Sequence, residues 1–90
     1  MITLDDCIGV SGLSEDEVMI IAEHENLSMI VAAELGSNLL GTPKGVFTLK
    51  GYIVDVLEKT TQSGDREKAK RIDRVLRQFV IAHPIPRVLR

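Results

Sequence analysis

Tryptophan is absent from the chain, and Phe47, Tyr52 and Phe79 are its only aromatic residues. A core without large rings must be built from Leu, Ile, Val and Ala, and a surface without them lacks the stacking platforms on which proteins hold bases or sugars. One cysteine, Cys7, cannot close an internal disulfide, so nothing calls for an oxidising compartment and a cytoplasmic setting is expected. No apolar run approaches the roughly 18 residues of a membrane span, and no basic stretch precedes an apolar one at the N-terminus as in a secretory leader. A membrane partner is therefore not expected. Strong charge of either sign is lacking too: a net charge of −2 and a pI near 5.6 offer no general attraction to polyanions.

What is present is a good supply of helix punctuation. Ninety residues, 44% of them hydrophobic, suit one domain with one core. Thr3 is placed to cap a short N-terminal helix that closes between Gly9 and Gly12. Ser14 and Glu17 then form a capping box, with Leu13 and Val18 positioned as a hydrophobic staple. That predicts a helix over Glu15–Glu25. Asn26 and Ser28 end it and start another over Met29–Leu40, with Gly41 as its stop. Thr42-Pro43 is an N-cap followed by proline at the first helical position, opening a helix to about Thr61. Asp65 caps the last helix, which Pro84 and Pro86 end. The predicted fold is all-α: a compact bundle of four main helices plus the short N-terminal one. Residues 1–90 form a single domain, with 84–90 as a flexible tail.

The helical faces are unequal. In the last helix Ala69, Ile72, Val75, Leu76, Phe79 and Val80 share one arc, opposite Arg66, Lys70, Arg74 and Arg77. In the helix before it, Val46, Leu49, Ile53, Val56 and Leu57 are expected inside, with Thr48, Gly51, Asp55 and Lys59 outside. The helix over Met29–Leu40 has only a narrow polar strip of Glu34, Ser37 and Asn38. Its Ala32, Ala33 and Gly36 would admit another helix backbone closely, and its apolar excess predicts a homodimer with Val31, Leu35 and Leu39 at the interface.

Charge is divided along the chain. Residues 1–63 carry three Lys/Arg and ten Asp/Glu (−7) and residues 64–90 carry eight and three (+5), which sum to −2. Such asymmetry fits a basic helix beside acidic ones, and it also fits a nucleic-acid-binding tail. Within the last helix, Glu67/Arg71 and Asp73/Arg77 are favourable pairs four residues apart, whereas Arg66/Lys70 and Lys70/Arg74 repel.

Several motifs invite chemistry and give little of it. The helices flanking His24–Ser28 can be read as a helix-turn-helix, but the second would present Ser28, Met29, Ile30, Ala33 and Glu34 where a reader of base edges needs Arg, Gln, Asn or Lys. Glu23, His24 and Glu25 are legitimate metal ligands by type. As consecutive helical residues they diverge by about 100° each, and neither a Glu-x-x-His pair nor a His-Glu-x-x-His motif is present. Asp5 and Asp6 also diverge, which suits a helix N-terminus better than acid-base work. Cys7 has acidic and apolar neighbours, unlike an activated thiolate. Gly41-Thr42-Pro43-Lys44-Gly45 lacks the strand, spacing and ending of a phosphate loop.

The run TLDDCIGVSGLSEDEV, followed by IAEHE, AAELG, and a closing Gly64-Asp65 and His83-Pro84, resembles a group of short uncharacterised bacterial proteins. The resemblance covers most of the chain. It implies a compact, helical, cytoplasmic protein and no particular activity, and it assigns no site residue.

The expected function is that of a small protein-interaction or regulatory module, a homodimer or adaptor with no enzymatic role and no cofactor. Its surfaces would be Val31, Leu35 and Leu39, together with the basic stripe Arg66, Lys70, Arg74 and Arg77. One alternative is a nucleic-acid-binding domain that uses this stripe with Arg87 and Arg90; another is a metal protein at Glu23, His24 and Glu25.

Overall fold

The computed structural model describes residues 12–84. The proposed N-terminal helix with its Thr3 cap, the residues Asp5, Asp6 and Cys7, and the tail from 85 onward lie outside them. Four helices follow in order: α1 Glu15–Glu25, α2 Met29–Leu40, α3 Pro43–Ser63 and α4 Arg66–Ala82. Among the described residues there is no strand, and no helix is long and apolar enough to cross a membrane.

Each helix starts where a side chain satisfies a free amide of its first turn. The capping box of α1 is complete: the Ser14 amide donates to Glu17 Oε1 at 2.7 Å, and the Glu17 amide donates to Ser14 Oγ at 3.2 Å. Ser28 Oγ accepts from the Val31 amide at 3.3 Å, Thr42 Oγ1 from Gly45 at 3.0 Å, and Asp65 Oδ1 from Lys68 at 3.1 Å. The ends are less uniform. Asn26 takes a left-handed conformation (φ 54°) after α1, and Gly64 does so after α3 (φ 84°). Gly41 caps α2 at the expected stop without adopting that conformation. It stays right-handed at φ −70°, and the break comes one residue later, where Thr42 must be extended because Pro43 follows it. α3 runs two residues past the expected end at Thr61. There Thr60, Thr61 and Ser63 hydroxyls donate to the carbonyls of Val56, Leu57 and Thr60.

The core is aliphatic, with one ring. Val18, Ile20 and Ile21 of α1, Ala32 and Ala33 of α2, Leu49, Ile53 and Val56 of α3, and Ile72, Val75 and Phe79 of α4 are buried, as is Leu13 before the first cap. α1, α2 and α3 pack on one another, while α4 lies chiefly along α3. Close approach at two points needs glycine. A Cβ at Gly36 would stand 2.2 Å from Leu13 Cδ1 and 2.9 Å from Ile21 Cδ1, and one at Gly45 would stand 1.8 Å from the Leu39 carbonyl oxygen. The small residues of α2 therefore receive α1 within the same chain, not a helix of another. Val80 departs from the expected core arc and is 39% exposed, because the residue after Phe79 is turned about 100° further round the helix.

Candidate functional site

Three surface features carry what the fold offers, and the first is on α2. Its inward face is Ala32, Ala33 and Gly36, while Ile30 and Val31, larger and β-branched, are 46% and 45% exposed. Ala and Gly are commonly buried in helices, and Met29, Leu35, Leu39 and Leu40 pack partly against the core, so Ile30 and Val31 are the large apolar residues of this helix that stay outside. Of the expected interface, Val31 lies outside. Leu35 and Leu39 are half-buried and packed against the core.

The second feature is the basic helix. Lys68 Nζ reaches Glu23 Oε1 and Arg71 Nη2 reaches Asp16 Oδ1, both at 2.6 Å, so two cations of α4 close onto the acidic flank of α1. The anticipated Glu67/Arg71 pair is displaced by the second of these contacts. The hydrogen bond from Arg71 to Asp16 and the charge of that carboxylate raise the guanidinium pKa further above its already high ordinary value. Beneath the two bridges lies a cavity of about 150 Å³ between α1 and α4, floored by Ile20, Val56, Ile72 and Val75 and edged by Met19. Arg77 Nε pairs with Asp73 within the helix at 3.1 Å, as the four-residue spacing predicted. Arg66, Lys70 and Arg74 are exposed and have no ion-pair partner among the described residues.

The third feature is the His24 cluster. His24 Nε2 stands 2.9 Å from Asp55 Oδ2, and its ring stacks on Tyr52 with centroids 4.3 Å apart at 22°. A carboxylate only accepts, so Nε2 carries the proton of this bond. Nδ1 is buried 3.3 Å from Glu25 Oε1, close enough to feel its charge but outside hydrogen-bonding geometry. The Tyr52 phenol is held above its ordinary pKa of 10.0 by a hydrogen bond to Glu25, by partial burial and by the charge of that carboxylate.

This geometry decides what the cluster does. Nε2 is engaged by Asp55 and Nδ1 is buried, while the residue borders shallow surface depressions beside Lys59. Glu23 points away to Lys68 while Glu25 stays beside His24, so the fold brings together two of the three consecutive residues and not the third. Among the described residues no group of three His, Cys, Asp or Glu converges as metal ligands would. The cluster fastens the C-terminal end of α1 to the middle of α3. At the α1–α2 turn the readers a DNA-binding helix needs are equally lacking: the Ser28 hydroxyl is spent on its cap, Ala33 is buried and Ile30 is apolar.

Sequence reasoning missed the long-range pairs. His24/Asp55, Glu23/Lys68 and Asp16/Arg71 are 31, 45 and 55 residues apart, and no periodicity links positions so distant. The opposed charges of residues 1–63 and 64–90 were the available signal; they state that acidic and basic elements attract without saying which residues meet. Comparison of the chain with protein families, curated proteins and solved structures finds no match.

Proposed function

We propose that this chain is a small protein-interaction module that self-associates through the outward face of α2 and has no enzymatic role or cofactor of its own. The observation that carries the reading is the exposure of two neighbouring β-branched residues on α2. Ala32, Ala33 and Gly36 are consumed inside the bundle, and Ile30 and Val31 are left outside, side by side and nearly half exposed. Exposed apolar residues occurring singly are normal, but adjacent ones on the helix with the narrowest polar strip form a patch that a second copy can cover. A two-fold contact places the same patch on both subunits. Glu34 at its edge would then be close to its own counterpart, which favours a crossed rather than a parallel arrangement of the two α2 helices. The lone cysteine and the resemblance to small bacterial proteins support a cytoplasmic, bacterial setting for such a module.

The test is light scattering on the eluting protein across a concentration series. The wild type is expected at twice the chain mass of 9.9 kDa, and Ile30→Glu with Val31→Glu is expected at that mass once, with unchanged helicity. A wild type that stays monomeric throughout the series removes the self-association reading.

A further inference from the structure

The cations of α4 separate into two sets according to how the fold uses them. Lys68 and Arg71 lean toward α1 and are neutralised there at 2.6 Å. Arg66, Lys70 and Arg74 project from the other side, exposed and without an ion-pair partner among the described residues. Like charges four residues apart repel along a helix, so Arg66/Lys70 and Lys70/Arg74 both weaken α4. The fold compensates neither. On the same face, one turn beyond Arg77, Ile81 is 80% exposed, more than any other large apolar side chain described. A row of three unneutralised cations therefore runs along the outside of the helix, followed by the Arg77–Asp73 pair and an uncovered isoleucine.

We infer that this face of α4 docks an acidic polypeptide segment: an α-helix bearing Asp or Glu at four-residue intervals, with an apolar residue at the end that meets Ile81. The helical rise places Arg66, Lys70 and Arg74 about 6 Å apart in succession, so carboxylates at the same interval on a facing helix meet all three. Exposed ion pairs contribute little one at a time. Three acting together, with an isoleucine withdrawn from water at one end, set both orientation and register. A nucleic acid matches the face less well. Asp73 sits in the row holding Arg77 at 3.1 Å, and Glu67 lies within a turn of Lys70. Discrete carboxylates can be spaced to avoid those two acids, whereas a continuous phosphate backbone cannot. The face also carries no aromatic ring for bases to stack on. The surface differs from the self-associating face of α2, so either reading can fail without the other.

The experiment is fluorescence anisotropy with the full chain and two labelled probes, compared at the same salt concentration and repeated at a low and a high one. One probe is an alanine-rich helical peptide with Glu at every fourth position and a terminal Leu; the other is an oligothymidylate of equal charge. The peptide is expected to bind more tightly than the oligonucleotide. The triple variant Arg66→Glu, Lys70→Glu, Arg74→Glu is expected to weaken the peptide about tenfold or more. The charge-matched triple Lys44→Glu, Lys50→Glu, Lys59→Glu on α3 should change it by less than about threefold. Ile81→Ser should weaken it several-fold at low and high salt alike. If the glutamate triple loses helicity, the triple to Gln replaces it; that change removes the repulsion along α4 and leaves the fold unstrained. Equal losses in the α3 and α4 triples would reduce the effect to net charge and overturn the inference. So would a wild type that ignores the peptide, or one that prefers the oligonucleotide, in which case the row is a phosphate-binding surface.

Discussion

α2 and α4 are both amphipathic by sequence, and the structure treats them in opposite ways. In α4 the large residues Ile72, Val75 and Phe79 are buried and the cations are outside, which is the arrangement hydrophobic periodicity predicts. In α2 the buried residues are Ala32, Ala33 and Gly36, and Ile30 and Val31 are outside. The difference teaches that periodicity reports which face is apolar, while side-chain volume reports how near the neighbour comes. α4 packs through bulk onto one helix. α2 must admit both α1 and α3 closely, and only small residues leave room for the Leu13 and Ile21 side chains at Gly36.

The contrast can be broken from either side by changing volume in opposite directions. Phe79 is the largest fully buried side chain, so Phe79→Ala should cost about 3–5 kcal/mol by leaving a cavity under α4. Urea unfolding measures this, and a loss under about 1 kcal/mol would mean that α4 is only loosely held. In α2 the damaging change is the reverse. Gly36→Val should cost about 1–3 kcal/mol because its branches enter the space of Leu13 and Ile21. A neutral result in the same assay would show that α1 can retreat and that the close approach is not required.

Smaller effects sharpen the comparison at the polar contacts. Lys68→Ala and Arg71→Ala each remove an exposed bridge from α4 to α1 and should cost no more than about 1 kcal/mol, with less effect at high salt. A larger, salt-insensitive loss would show that the α1–α4 cavity depends on its bridges. At the α1–α3 joint the prediction concerns pH. The Tyr52 phenol has a folded pKa raised above 10.0 by Glu25, so its contribution is complete below pH 10 and is lost as pH rises through the folded value. Tyr52 is the only tyrosine and there is no tryptophan, so ultraviolet absorbance follows this titration directly. A midpoint at or below 10.0 would sink the assignment, and Glu25→Gln should lower the midpoint of the wild type.

Much of the fold was legible from local signals. Ser14, Ser28, Thr42 and Asp65 were identifiable as caps because capping involves only residues within one turn of each other. Gly41 stops α2 where its sequence position implied, but in a right-handed conformation: glycine permits the left-handed one without requiring it, and the adjacent Pro43 is the stronger constraint. Of the candidate site residues, Arg66, Lys70 and Arg74 stand exposed as their helical face implied, and Val31 does too. Leu35 and Leu39 turn partly inward, a placement set by the neighbours of α2 and not by its own period.

The amino-acid sequence by itself determined that this protein is helical, where its helices begin, and that its core is aliphatic. Those outcomes depend on caps, prolines and a 3.6-residue period, all of which act within one turn. Only the tertiary structure decided which of six cations in α4 are neutralised and which stay free, which face of α2 is inside, and that His24 serves as a fastener. Those outcomes depend on residues 15 to 55 positions apart meeting in space, and that separation is bridged by packing, for which a linear pattern holds no code.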